Sequence, residues 1–397
     1  MPAYRTLDDL EVAGRTVLVR ADLNVPMKDG AVTDTTRIDR LVPTIAELTG
    51  QGARVVLMSH FGRPKGERNQ DFTLQPVADA VAAAIGAEVA FAGDCVGPDA
   101  ERVVQGLADG QVAVLENLRF HAGEEANDAD FAARLAALGD IYVNDAFSTA
   151  HRAHASTERL AQELPAAAGR LMQAELEALS SALETPTRPV AALVGGAKIS
   201  TKLAVLGHLI EQVDMLIIGG GMANTFLNAK GVSIGASLCE HDMAGTARDI
   251  LDRAATGGCD VLLPTDAVVA ARLEEGIDTA TVAVDAVPGD AMILDVGSAT
   301  VAELNEKLET IATLLWNGPL GAFEVPPFDA GTTAVARRAA ALTRAGSLTS
   351  VAGGGDTVAA LKKADAIDDF TYVSTAGGAF LEWLEGRELP GVAALKR

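Results

Sequence analysis

The 397 residues carry 32 Lys and Arg against 54 Asp and Glu, a net charge of −22, with 49% hydrophobic residues. That balance repels nucleic acid and anionic membrane, and a mean hydropathy of +0.20 excludes a disordered chain while the length allows two separate cores. Three widely spaced cysteines (Cys95, Cys239, Cys259), no run near the ~18 apolar residues of a membrane span and no signal-type N-terminus imply a soluble, cytoplasmic protein with reduced thiols.

Along the chain, short β-branched runs alternate with Ala- and Leu-rich helical stretches, as parallel βαβ architecture requires. In the first half, strands are predicted at Thr16 to Val19, Arg54 to Met58, Val112 to Leu115 and Ile141 to Val143, with helices at Arg37 to Leu48, Gln75 to Ile85 and Asp128 to Leu138. The stretch Gly169 to Glu184 has apolar residues near helical spacing and stops before Pro186 and Pro189, which predicts a helix joining two domains. The second half repeats the pattern, with strands predicted at Val190 to Val194, Met215 to Ile218, Val261 to Leu263, Ala312 to Trp316, Leu348 to Val351 and Tyr372 to Ser374. Two α/β units follow one another.

In open α/β sheets ligands bind outside the carboxyl ends of the strands. The first-half strands end in Arg20 to Pro26 (RADLNVP), Ser59 to Pro64 (SHFGRP), Glu116 to Phe120 (ENLRF) and Asn144 to Phe147 (NDAF). His60, Arg63, Arg119 and Arg152 should therefore converge with Asp22 and Asn24 on one crevice, within reach of Arg37. A single arginine is ordinarily a solvated surface residue, but recurrence after successive strands of so acidic a chain points to a small, strongly anionic ligand gripped by guanidinium forks. A hydroxylated phosphate or a polycarboxylate fits; an uncharged sugar does not.

The second-half strands end in glycines: Gly195 to Lys202 (GGAKISTK), predicted to be a turn opening a helix with Lys198 and Lys202 on one face, then Gly219 to Met222, Trp316 to Glu324 and Gly353 to Thr357. One such turn is as readily a tight corner as an anion site. Four in one domain suggest a flat ligand against bare backbone, its phosphates on lysines and helix N-termini. There is no G-x-x-x-x-G-K-[ST], no G-x-G-x-x-G after a first strand and no H-R-D loop, which disfavours P-loop NTPases, dinucleotide dehydrogenases and protein kinases.

In this order, and with Ala150 to Ala155 (AHRAHA) among them, the motifs resemble those of the phosphoglycerate kinase family over essentially the whole chain. The resemblance implies two Rossmann-like, three-layer α/β/α domains with parallel sheets facing a central cleft: residues 1–169 binding 3-phosphoglycerate, an interdomain helix 170–185, residues 186–375 binding nucleotide, and 376–397 returning to the first domain. It implies a monomer acting on 3-phosphoglycerate and ATP/ADP with Mg²⁺. Asp22, Asn24, Arg37, His60, Phe61, Gly62, Arg63, Arg119 and Arg152 would hold the acid. Lys198, Lys202, Gly219, Gly220, Asn317, Pro319, Glu324, Gly353, Gly354, Gly355, Asp356 and Thr357 would hold the nucleotide, with Asp356 on the metal. Ala376 and Thr201 depart from the pattern, standing where many members have Gly and Asp.

A carboxylate acceptor is already ionised at neutral pH, since such groups titrate near pH ~4, so no general base is required. Arg37 and Lys202, with the Gly354 and Gly355 amides, are expected to stabilise the transferring phosphoryl, and closure is expected about the Gly169 to Glu184 helix or the Ser374 to Ala379 segment. Two rivals remain: a kinase for another small carboxylate such as acetate, and a non-catalytic nucleotide-binding scaffold.

Overall fold

The computed structural model describes residues 4–396. The chain divides into two compact units, Met1–Leu176 with Glu388–Arg397, and Glu177–Arg387. The first is built on six parallel strands, β1 (Thr16–Arg20), β2 (Arg54–Met58), β3 (Val89–Ala92), β4 (Val112–Leu115), β5 (Ile141–Asn144) and β6 (Ala166–Ala168), in the order β3-β4-β2-β1-β5-β6. Parallel sheets need helices on both faces. On one face Val17, Val19, Leu57 and Val114 meet Ile38, Leu41, Ile45 and Leu48 of α1 (Thr36–Gly50) and Val77 and Val81 of α2 (Gln75–Ile85) in a buried cluster. Because every strand runs the same way, the residues after β1, β2, β4 and β5 share one edge.

The second unit has its own parallel sheet, β7 (Val190–Val194), β8 (Met215–Ile218), β9 (Asp260–Leu262), β10 (Thr313–Asn317), β11 (Thr349–Gly353) and β12 (Tyr372–Ser374), ordered β9-β8-β7-β10-β11-β12. The order reverses between β7 and β10, where α/β sheets open a crevice. A three-stranded antiparallel sheet, Asp266–Ala270, Ala280–Ala283 and Met292–Val296, is inserted before β10.

Sequence patterning did not reveal β3, β6 or this inserted sheet. Val89–Ala92 is a half-buried edge strand, Ala166–Ala168 is three alanines, and Ala280–Ala283 is mostly exposed, so none carries a long β-branched run. The segment expected to open a helix with Lys198 and Lys202 on one face is instead a loop, and the helix starts at Leu203. The Thr201 hydroxyl donates to Lys198 O at 2.8 Å, a local bond that competes with helical pairing.

The boundary between the units falls within helix α3 (Arg170–Leu179), which a π-helical turn, Ser180–Glu184, extends. In the returning segment, Gly391 N donates to Ala150 O at 2.9 Å. The preceding helix Gly377–Leu384 packs on Leu203–Leu209 in the second unit.

The start of α3 is fixed by a buried carboxylate. Asp145, just after β5, accepts the Met172 amide at 2.9 Å, and Arg170 N donates to Thr44 Oγ1 at 3.0 Å. A side chain on Gly169 would overlap the Asp145 carboxylate, so glycine is required there. Burial pushes Asp145 up to about 6, against opposing hydrogen bonds from Thr44 and the Met172 and Leu171 amides. Its folded value lies above the ordinary 3.8, so folding takes up a proton between about pH 4 and 6. The group's contribution to stability is greatest below that window and is lost as pH rises through it. Asp145→Asn should therefore gain on the wild type between about pH 4 and 6, by at most about 3 kcal/mol, and hold that difference above. Urea denaturation from pH 4 to 8 checks this; a pH-independent difference would contradict it.

Candidate active site

On the first unit the strand ends gather cations. Arg20, the last residue of β1, is 1% exposed and Arg119 3%, a burial that costs free energy unless the charge is paired or hydrogen-bonded. Arg20 Nε donates to Ser156 Oγ at 2.8 Å, Nη1 to Ala21 O at 2.5 Å and Nη2 to His60 Nδ1 at 3.1 Å. Arg119 Nη1 donates to Gly62 O at 2.8 Å, while its Nε lies 3.2 Å from Glu125 Oε1 without hydrogen-bond geometry. Arg152 Nε donates to His151 Nε2 at 3.2 Å. Burial, then Arg20, Arg119, Arg152 and His154, hold His60 well below its ordinary value, and burial with Arg119, Arg20 and Arg152 lowers His154 to about 4. Both imidazoles are neutral at neutral pH, in a strongly positive field.

Beside them, Arg37 in the first turn of α1 reaches back across the β1 end. Its Nη1 lies 2.9 Å from each Asp22 oxygen and 3.0 Å from Asn24 O. Ser148 Oγ donates to Asp22 at 2.5 Å, and Asn24 Oδ1 accepts the Gly62 amide at 3.0 Å. Gly62 has φ +60, the left-handed turn that swings the loop back. The backbone of Phe61 is clamped by Asn117, whose Oδ1 accepts its amide at 3.1 Å and whose Nδ2 donates to its carbonyl at 2.7 Å. Of the residues expected here, Arg63 alone is exposed and tied to no side chain among the described residues. Sequence reasoning did not assign Arg20 or His154 to the site; the sole cation in the otherwise apolar run Thr16–Arg20 was the available signal.

On the second unit the strand ends approach backbone to backbone. Gly195 N donates to Asn317 O at 3.0 Å, and a Cβ on Gly195 would overlap Pro319 O. Gly219 caps helix α4 (Gly220–Ala229), and Gly220 adopts φ +68 against Gly196. Gly354, at φ +99, caps helix α5 (Gly355–Lys363), and Gly355 faces open space. Asn317 joins the loops: its Nδ2 donates to Gly353 O at 2.7 Å and its Oδ1 accepts from Lys202 Nζ. Thr357 Oγ1 accepts the Gly318 amide at 2.7 Å. Burial lowers Lys202, with the Asp356 charge opposing. Lys198, Glu324 and Asp356 are exposed.

Next to this cradle lies an apolar cavity of about 320 Å³, lined by Gly220, Leu238, Leu294, Val296, Pro319 and Glu324 among others, with Asp356 at its edge. Leu238 and Leu273, the large hydrophobics most exposed among the described residues at 46% and 48%, both border it, which marks it as a binding surface. Met292 to Val296 come from the inserted sheet, whose contribution no motif announced. Asp295 beneath it is pushed up to about 7 by burial, with the Gly331 and Val296 amides opposing.

A cluster of cations at the strand ends of one α/β unit, and helix N-termini beside an apolar cavity on another, suit a small-molecule phosphotransferase. The family model "Phosphoglycerate kinase" matches residues 7–387. Curated phosphoglycerate kinases are 64% identical in Azorhizobium caulinodans, over 100% of both chains, and 61% identical in a Ruegeria species, over 99% of both. The solved phosphoglycerate kinase of Coxiella burnetii superposes with TM-score 0.92 at 43% identity, covering 99% of this chain and 98% of its own; that of Pyrococcus horikoshii gives 0.81 at 32%, covering 98% of each. The chain belongs to the phosphoglycerate kinase family. Its activity is that family's glycolytic phosphoryl transfer, a nucleotide-dependent reaction on small molecules. No helix among the described residues is long and apolar enough to cross a membrane.

The cradle's geometry is testable at Gly220, where a Cβ would lie 2.7 Å from Gly196 O on a left-handed residue. Gly220→Ala is expected to cost about 1–3 kcal/mol and to weaken ADP binding while leaving 3-phosphoglycerate affinity unchanged. Thermal melts with calorimetric titration of each ligand decide it.

Proposed function

We propose that the first unit binds 3-phosphoglycerate through Asp22, Asn24, Arg37, the His60 to Arg63 loop, Arg119 and Arg152. The second unit binds the nucleotide through Lys198, Lys202, Gly219, Gly220, Asn317, Pro319, Glu324 and the Gly353 to Thr357 turn. The observation that carries this reading is the cluster of buried Arg20, His60 and Arg119 with half-buried Arg152 and His154 in a chain of net charge −22, which a polyanion would neutralise. With both histidines neutral and their values depressed, neither is needed as a base, because the acceptor carboxylate is already ionised.

Asp356 supports a place for Mg²⁺: its exposed carboxylate accepts no hydrogen bond among the described residues, and this ion binds through one or two carboxylates plus substrate phosphates. When bound, Mg²⁺ would neutralise phosphate charge. The Gly354 and Gly355 amides at the start of α5 and the Lys202 ammonium, fixed by Asn317, donate to the phosphate oxygens. Arg37, held by Asp22 and Asn24, supplies positive charge to the phosphoryl in transit. Reacting atoms must come within about 3–3.5 Å, so the two bound reactants are carried together in a closure step, with α3 as its hinge.

A coupled assay with MgATP should show turnover with 3-phosphoglycerate and none with acetate. Turnover with acetate, or none with either, would favour the rival carboxylate kinase or the scaffold. Arg37→Ala should lower kcat about a hundredfold while 3-phosphoglycerate affinity falls far less; weakened binding at unchanged kcat would reduce Arg37 to a ligand-holding residue. Lys202→Ala should abolish most turnover with an unchanged circular-dichroism melt, and an unfolded variant would make the lysine structural.

A further inference from the structure

Behind the anion site of the first unit runs a buried chain of hydrogen bonds that ends on His60. It starts at Glu124, which has no solvent exposure. Its carboxylate accepts the Ser156 amide at 2.9 Å and the Ser156 hydroxyl at 2.6 Å. A serine hydroxyl has one proton, and here it is committed to Glu124. Ser156 Oγ can therefore only accept from Arg20 Nε at 2.8 Å. Arg20, anchored also on Ala21 O, turns Nη2 toward His60 Nδ1 at 3.1 Å. A guanidinium only donates, so His60 Nδ1 carries the lone pair and its proton resides on Nε2, which has no partner among the described residues.

The backbone supports the same arrangement. Ser156 lies in a π-helical turn, Ala155–Arg159, and Tyr142 Oη donates to its carbonyl at 2.7 Å. Such wide turns recur at functional sites. The depressed value of His60 agrees with a neutral ring that has one donor and one acceptor nitrogen.

We propose that Glu124 and Ser156 are positioning residues which, through Arg20, lock His60 in its Nε2–H tautomer so that this nitrogen donates to an oxyanion of the bound acid. The proposal rests on His60 being a substrate ligand, as assigned above. Each link is directional: reversing one would leave a buried donor facing a donor, or two lone pairs face to face, at a substantial cost.

Histidine-¹⁵N-labelled full-length protein, read by long-range ¹⁵N–¹H correlation without substrate, should show His60 protonated at Nε2 alone. In Ser156→Ala the Nδ1 and Nε2 shifts should move toward an averaged tautomer mixture, with 3-phosphoglycerate binding weakened roughly tenfold and ADP binding unchanged. Glu124→Gln, which preserves volume, should shift the tautomer in the same direction and keeps the test readable if Ser156→Ala does not fold. An Nδ1–H tautomer in the wild type, an unchanged tautomer in the variants, or a changed tautomer with unchanged affinity would each overturn the proposal. His60→Gln separates the two readings: undiminished 3-phosphoglycerate binding in that variant would remove His60 as a ligand, whatever its tautomer in the wild type.

Discussion

The structure depends on the cost of holding like charges together out of water. Arg20, Arg119 and Arg152 and two histidines crowd the strand ends of one sheet, and the repulsion among the three guanidinium charges opposes that arrangement. The scaffold fixes the arginines separately: Arg20 on Ala21 and Ser156, Arg119 on the Gly62 carbonyl and Arg152 on His151, with Arg37 nearby on Asp22 and Asn24. The histidines meet the same field by remaining neutral, which turns them from charges into directional donors and acceptors. A cluster built in this way would be stabilised by an anionic ligand, which brings the negative charge it lacks.

The strand ends of the second unit carry little fixed charge. Its main chains approach closely instead, Gly195 against Pro319 and Gly220 against Gly196, while Gly354 lies against the Asn317 side chain. Any side chain at the first two would stand where backbone already is. What remains facing the ligand is a row of amides at helix starts, whose partial charges suit a mobile phosphate chain and whose orientation is set by the fold. The one ammonium drawn into it, Lys202, is held by Asn317, which also binds the Gly353 carbonyl. One asparagine thus couples the cation to the glycine turn.

The difference between the units matches the chemistry. In the proposed reading a small acid with fixed geometry is met by shaped, directional side chains, and a nucleotide by backbone and an apolar wall. A carboxylate acceptor would require no base, and the lowered values of His60 and His154 suit that proposal. What catalysis requires is charge placed where the phosphoryl moves and exclusion of water, both of which are tasks for the scaffold.

Most of this was legible in the amino-acid order. The strand runs Val55 to Leu57 and Val190 to Val194 are unbroken and apolar, so their existence and parallel pairing followed from pattern, and the motifs RADLNVP, SHFGRP and GGGDT stand at the carboxyl ends of β1, β2 and β11. The three-alanine strand Ala166–Ala168, the inserted sheet and the true start of the helix after Lys202 were not legible, because their residues have weak or competing local preferences that pairing and packing override. Nor could the sequence show that Arg20 is buried, that Asp145 caps α3, or that Leu238, Leu294 and Pro319 share a cavity wall. Residue type alone determined which groups could bind phosphate and which turns needed glycine, since those depend on local chemistry and backbone sterics. The tertiary structure decided which of them meet, in what protonation state and in what direction each hydrogen bond points, because these depend on burial and on neighbours tens of residues away in the chain.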